Sequence, residues 1–233
     1  MKERLHELIK AYNLLVRGID DRAHGDNDRA YGGIIRSAKG GLVESIAKHV
    51  IEIAWSSLCS DEERLSFDKK KVKVYIKPDY IKKIPDKEIR DYIRQNIDNY
   101  FYKIKTDIHV YIDKTFVMGV ECKAYAENAM IKRVLIDFAL LKGQYPELTC
   151  VLFQLESMLG GDYSQPMKSK IFGSASTRTL MSYFDVDLKI ITLLEGERKV
   201  KGPIHKKEYY KELKYDNLHK AANEFRNMLK PFV

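Results

Sequence analysis

Residues Thr106–Tyr125, TDIHVYIDKTFVMGVECKAY, form two arms rich in Val, Ile, Tyr and Phe on either side of Asp113–Lys114. Side chains of these kinds suit a pleated surface, so the stretch predicts a β-hairpin. It runs directly into AENAMIKRVLIDFALLK, where Met130, Val134, Phe138 and Leu141 fall at core spacing and predict a long helix. A hairpin continued by an amphipathic helix commits the middle of the chain to a sheet with a helix laid against it. The nearly continuous apolar run TCVLFQLES then predicts a buried strand, STRTLMSYF a short helix and VDLKIITLLEG another strand. That order points to an α/β fold with a mixed sheet.

The flanking regions add helices. LHELIKAYNLLV carries Leu5, Leu8, Tyr12 and Leu15 on one stripe, and LVESIAKHVIEIAWSSL carries Leu42, Ile46, Val50 and Ile53. The glycine-rich, charged run between them, Gly18 to Gly41, predicts a long loop. KVKVYIK alternates like a strand, DKEIRDYIRQNIDNYFYKI predicts a third helix and YDNLHKAANEFRNMLK a closing one. There is no internal repeat, and the 233 residues are read as one domain.

Lys and Arg number 41 against 33 Asp and Glu, a formal charge of +8, which favours a polyanionic partner such as nucleic acid. The three cysteines, Cys59, Cys122 and Cys150, form no CxxC, which argues against a disulfide framework or zinc finger and fits a reducing cytoplasm. The longest greasy stretch, VLIDFALL, is short and broken by Asp137, so no membrane span is expected.

The chemistry concentrates in GVECKAY. Along a strand Glu121 and Lys123 face one way and Cys122 the other. An acid and a lysine amid apolar neighbours are costly to desolvate unless paired or metal-bound. Similar acid–x–lysine triplets occur at Asp68–Lys70, Asp187–Lys189, Glu197–Lys199 and Glu212–Lys214, so context decides. A metal site needs a second carboxylate, and the choice lies between Asp107 and Asp113. A turn centred on Asp113–Thr115 sets Asp107 opposite Glu121. A plain two-residue turn at Asp113–Lys114 sets it opposite Val120, so the Asp107 pairing requires an odd-numbered loop or a bulge. Two carboxylates 4 Å apart repel by about 4 kcal/mol at an effective dielectric near 20, which a divalent cation relieves. Oxygen ligands suit Mg²⁺. Lys123 beside such an ion can orient or deprotonate a water. The bland reading is a surface hairpin whose Asp, Glu and Lys form ordinary ion pairs.

Asp107…Glu121-Cys122-Lys123, on a hairpin followed by a long helix, resembles the PD-(D/E)XK nuclease core, in the version found in type II restriction endonucleases. The resemblance implies a mixed central sheet flanked by helices, with the core over about 40–157 and DNA-recognition and dimer elements in about 158–233. It implies that Asp107, Glu121 and the Cys122 carbonyl hold Mg²⁺ and that Lys123 activates the attacking water. Glu44, in KGGLVESIAKHV, matches the helical glutamate that often precedes the hairpin; its plain alternative is an i,i+4 partner of Lys48. The sequence departs from the pattern at Thr106, where the family name has Pro, and this leaves Asp113 open. The implied activity is hydrolysis of double-stranded DNA leaving 5′-phosphates, by a homodimer in a prokaryotic cytoplasm.

Cys122 should point into the core and pack there. His109 shares the parity of Asp107 and is expected to be half-buried. Gln154, inside an apolar strand, must find a partner. KKKVKVYIK, MKSK and RKVKGPIHKK are basic clusters suited to phosphate contact. From them and from the loop GGDYSQPMKSKIFGSASTRT, the expected DNA contacts are Gln165, Lys168, Lys170, Ser174, Arg178, Lys201 and Lys206. The loop's plain alternative is a helix N-cap at Ser176 or Thr177.

Overall fold

The computed structural model describes residues 2–23, 28–164, 173–199, 204 and 207–233. Its centre is a five-stranded sheet in the order β1 (Leu65–Asp68), β4 (Ile108–Ile112), β5 (Thr115–Ala126), β6 (Thr149–Ser157), β7 (Leu188–Thr192). β1 and β5 run antiparallel to β4, while β5, β6 and β7 are mutually parallel. A parallel pair needs a crossover. Helix α5 (Asn128–Lys142) supplies the first and α6 (Ala175–Ser182) the second.

Alternation along β5 sorts its side chains between two cores. Met118, Val120 and Cys122 join a cluster with helices α1 (Lys2–Ala23), α2 (Asp28–Ser56) and α7 (Tyr215–Leu229), around Trp55, Phe153 and Phe225. On the other face Leu135 and Phe138 of α5 pack with Leu152 and Cys150 of β6. Gly119 makes that approach possible, because a Cβ there would stand 2.9 Å from Phe138 Cε1. Residues 158–233 therefore do more than flank the core: they contribute β7 and α7 to it.

Between β1 and β4 the chain leaves the sheet. It forms a two-stranded ribbon, β2 (Val72–Tyr75) paired with β3 (Phe101–Ile104), and two short helices, α3 (Pro78–Lys83) and α4 (Lys87–Gln95).

Two sequence expectations are corrected. Helix α1 runs on to Ala23 and α2 already begins at Asp28, so most of the expected loop from Gly18 to Gly41 is helical. Glycine weakens a helix by about 1 kcal/mol relative to alanine but does not forbid it. The later turns of α2 bury Val43, Ile46, Val50 and Trp55, which holds the whole helix in place. The expected third helix stops at Gln95, and its aromatic tail, Phe101–Ile104, pairs as β3. Strand β1 and helix α3 carry too few residues to show a period.

Candidate active site

The β4–β5 hairpin turns through Asp113 and Lys114, whose φ angles of 48° and 67° are both left-handed. This is the two-residue turn that by itself would misplace Asp107. A β-bulge restores the pairing. Tyr111 lies opposite Phe116, but Val110 lies opposite Met118, so Val117 is the extra residue. From there Ile108 pairs with Val120, and one residue further Asp107 comes level with Glu121. The bulge is thus the device that brings the two carboxylates to one place.

Thr106 holds Asp107 in that position. Its backbone N–H donates to His109 Nε2 at 3.1 Å, and its hydroxyl donates to the Ile108 carbonyl at 2.9 Å. These bonds lock the chain before the aspartate, as the fixed φ of a proline would. His109 serves this purpose from full burial, its ring tilted against Phe116 at 4.7 Å between centroids, rather than half-buried as expected. Burial lowers its pKa, which keeps the imidazole neutral and able to accept.

Three oxygens converge on the Lys123 ammonium. Nζ lies 3.1 Å from Asp107 Oδ2, 2.7 Å from Glu121 Oε2 and 3.2 Å from the Cys122 carbonyl. The Cys122 N–H donates to the same Asp107 oxygen at 2.8 Å, which fixes the carboxylate across the strands. Glu121 is 8% exposed. Burial pushes its pKa up to about 7; Lys123 opposes that shift and Asp107 adds to it. Burial alone would lower the Lys123 pKa, but Glu121 and Asp107 hold it above the usual lysine value. Two acids share one lysine here, a surplus of negative charge in a partly desolvated place.

Two more carboxylates face this group. Glu44 of α2 is paired with Lys69 rather than Lys48. The Lys69 pKa is raised, first by its hydrogen bond to Glu44 and also by Asp107. Asp137 of α5 has its pKa raised by burial, against the pull of Arg133 and Lys123. It also contributes to the upward shift at Glu121. Asp137 went unnoticed as a site residue; its signal was the lone acid that breaks VLIDFALL.

The remaining expectations sort as follows. Asp113 sits at the turn and takes Arg64 through Nε at 3.0 Å and Nη2 at 2.7 Å, with the whole of β4 between it and Asp107. Cys122 is buried in the core as expected, with its thiol pKa raised by burial. Gln154, level with Lys123 on β6, donates from Nε2 to Thr192 Oγ1 at 2.9 Å. Ser174 is the N-cap of α6, accepting from the Thr177 N–H at 3.1 Å, so the cap precedes Ser176 and Thr177. Arg178 is exposed on that helix. Gln165, Lys168, Lys170, Lys201 and Lys206 lie outside the described residues.

Among the described residues no three His, Cys, Asp or Glu side chains form a metal cluster on their own. The set here is two carboxylates and a backbone carbonyl, all hard oxygens, gathered around one cation. Such a set fits a small divalent ion that keeps part of its hydration. The cluster lies on β5 beside the start of β4, and none of its residues lines the cavity of about 580 Å³ between the β2–β3 ribbon and α5.

The chain is 47% identical over 232 residues, 97% of its length and 96% of the relative's, to the type II restriction enzyme DdeI of Desulfomicrobium norvegicum. No protein-family model matches it. No solved structure matches it either. No helix among the described residues is long and apolar enough to cross a membrane.

Proposed function

Because this chain belongs to the type II restriction enzymes, we propose that Asp107, Glu121 and Lys123 cut double-stranded DNA at a specific site, with Mg²⁺ as cofactor. The observation that carries this reading is the convergence of Asp107, Glu121 and the Cys122 carbonyl on the Lys123 ammonium. The same three oxygens would hold Mg²⁺. When bound, the ion supplies charge stabilisation at the phosphoryl group and relieves the carboxylate repulsion.

Displaced from the oxygens, Lys123 stays on the same strand face and orients the attacking water. Attack in line at phosphorus breaks the bond to the 3′ oxygen and leaves a 5′-phosphate. Glu44 and Asp137 hold the second ring of negative charge, and Lys69 keeps Glu44 in place. The fold's contribution is mainly positioning: the bulge at Val117 and the Thr106 lock aim both carboxylates before substrate arrives.

The chain is read as one domain working as a homodimer in a prokaryotic cytoplasm, since a palindromic site calls for twofold symmetry. Gln165, Lys168, Lys170, Arg178, Lys201 and Lys206 are its proposed DNA contacts, with Ser174 placing Arg178 by capping α6.

The test is incubation of the purified protein with several plasmids, in Mg²⁺ and in EDTA. Discrete fragments with 5′-phosphates, in Mg²⁺ only, are the expected result. Smearing, or cuts confined to junctions, would remove site specificity. No cleavage of any DNA form would remove the nuclease.

A further inference from the structure

The segment from Lys69 to Lys105, which holds the β2–β3 ribbon, carries twelve Lys and Arg against five Asp and Glu. That is +7 of the chain's +8, so the rest of the molecule is close to neutral. Lys69 pairs with Glu44, Lys70 with Asp68, Lys82 with Asp79 and Arg94 with Asp91, and the two lysines that face each other on the ribbon stand outside these pairs. Lys73 and Lys103 are direct cross-strand partners. Both lie over the ring of Phe101, with Nζ at 4.3 and 5.6 Å from its centroid. Neither makes an ion pair among the described residues. Like charges set directly opposite on a ribbon repel, and the repulsion is relieved by a polyanion lying across both.

The ribbon has a fixed orientation. Val72, Val74 and Ile104 pack toward the α5 core, so Lys73, Tyr75 and Lys103 alternate outward and are exposed. It is tethered to the catalytic cluster at both ends. Lys69, at its start, is bonded to Glu44. Ile104, at its end, is three residues before Asp107, a reach of about 10 Å for extended chain. That distance is about three base-pair steps of duplex DNA.

We propose that the outer face of the β2–β3 ribbon, centred on Lys73 and Lys103, grips the backbone phosphates of duplex DNA a few base pairs from the scissile bond. The proposal rests on the nuclease reading for its choice of polyanion. It adds Lys73 and Lys103 to the proposed DNA contacts. Phosphate contacts of this kind set register and affinity and carry no sequence information. Tyr75, in edge contact with Phe101 at 5.9 Å between centroids, stiffens the face and gives a backbone sugar an apolar surface.

The test is fluorescence anisotropy of a labelled duplex in EDTA across a KCl series, for wild type and Lys73→Gln/Lys103→Gln. Each phosphate contact contributes about 0.9 to the slope of log K against log salt, so the double variant should lose about 1.8. Lys73→Arg/Lys103→Arg should restore the slope. Because the substitutions remove a repulsive pair, the melting temperature should not fall. Should the glutamine pair misfold, Lys103→Gln alone should lose about 0.9. An unchanged slope and affinity would overturn the proposal. So would loss of a dimer on size exclusion by the double variant, which would make the ribbon a contact between copies. A wild type that binds with the expected slope but cuts no plasmid would sink the nuclease reading and leave the ribbon's role standing.

Discussion

Two buried glutamates on neighbouring parallel strands meet opposite fates. Glu121 of β5 shares one lysine with a second acid, Asp107. Glu156 of β6, with a side chain 1% exposed, has two cations to itself: Lys211 Nζ at 3.1 Å and Arg198 Nη1 at 3.5 Å. Arg198 is also held against the Tyr125 ring at 3.9 Å. Lys39 is also buried, its pKa lowered to about 8 by burial and then by Arg198, with Glu156 pulling the other way. One centre has a surplus of negative charge and the other a surplus of positive. A surplus of acid at an accessible site calls for a cation from outside. An acid enclosed by cations is complete, and it ties β6 to the segments before α7. Charge balance, rather than burial, separates the proposed catalytic site from the ion-pair centre at Glu156.

The sharpest way to break this comparison is at Lys123. Lys123→Ala should lower cleavage on the order of 10²–10⁴-fold, the usual range for a positioned acid–base group, while DNA affinity measured in EDTA stays within a few-fold. Cleavage at the wild-type rate would return the acidic centre to an ordinary ion-pair cluster.

The next effect contrasts the two glutamates in stability. Glu156→Gln leaves Arg198 and Lys211 facing a neutral amide in a desolvated place, and should cost about 3 kcal/mol. Glu121→Gln should do the reverse in EDTA. The Glu121 pKa rises from 4.5 to about 7 on folding, with burial the main cause. The unfolded chain therefore ionises first, and the stability contributed by this group is full below pH 4.5 and is lost as pH rises through 7. Thermal melts should show Glu121→Gln gaining on wild type across that window, and Mg²⁺ should raise the melting temperature of wild type only. A Glu121→Gln that melts as low as Glu156→Gln would erase the distinction.

The hairpin, the long helix and the parallel strand were legible because each is long enough to show its period, and Glu121 and Lys123 came with them. Asp107 was legible only conditionally. Parity demanded an odd loop or a bulge, and composition does not say which, because the extra residue, Val117, is as apolar as its neighbours. Glu156 and Asp137 look alike in sequence, each a single acid in an apolar run. The partners of Glu156, Lys211 and Arg198, come from distant segments, whereas Asp137 pairs with Arg133 one turn earlier on α5 and also feels Lys123 of β5. The α2 start was hidden by glycines, and β3 by its continuity with the helix before it. Local propensity fails where tertiary contact decides.

The smallest effect tests whether the turn acid is only a brace. Asp113 accepts both Arg64 contacts, and that hydrogen bond is the largest cause holding its pKa below 3.8. Arg64 in turn donates to the Phe232 carbonyl at 2.8 Å, so the pair pins the C-terminus to the hairpin turn. A carboxyl with a depressed folded pKa contributes stability above its unfolded value and loses it as pH falls through the folded one. Asp113→Asn should therefore lower the melting temperature slightly at pH 7, by no more than an exposed pair is worth. The gap to wild type should narrow as pH falls from 3.8 through the depressed folded value, where Asp113 takes up its proton. Cleavage should be unaffected, since Asp113 lies at the far end of β4 from the catalytic cluster. A large loss of cleavage with no change in melting would move the second carboxylate from Asp107 to Asp113, and with it the role assigned to the bulge.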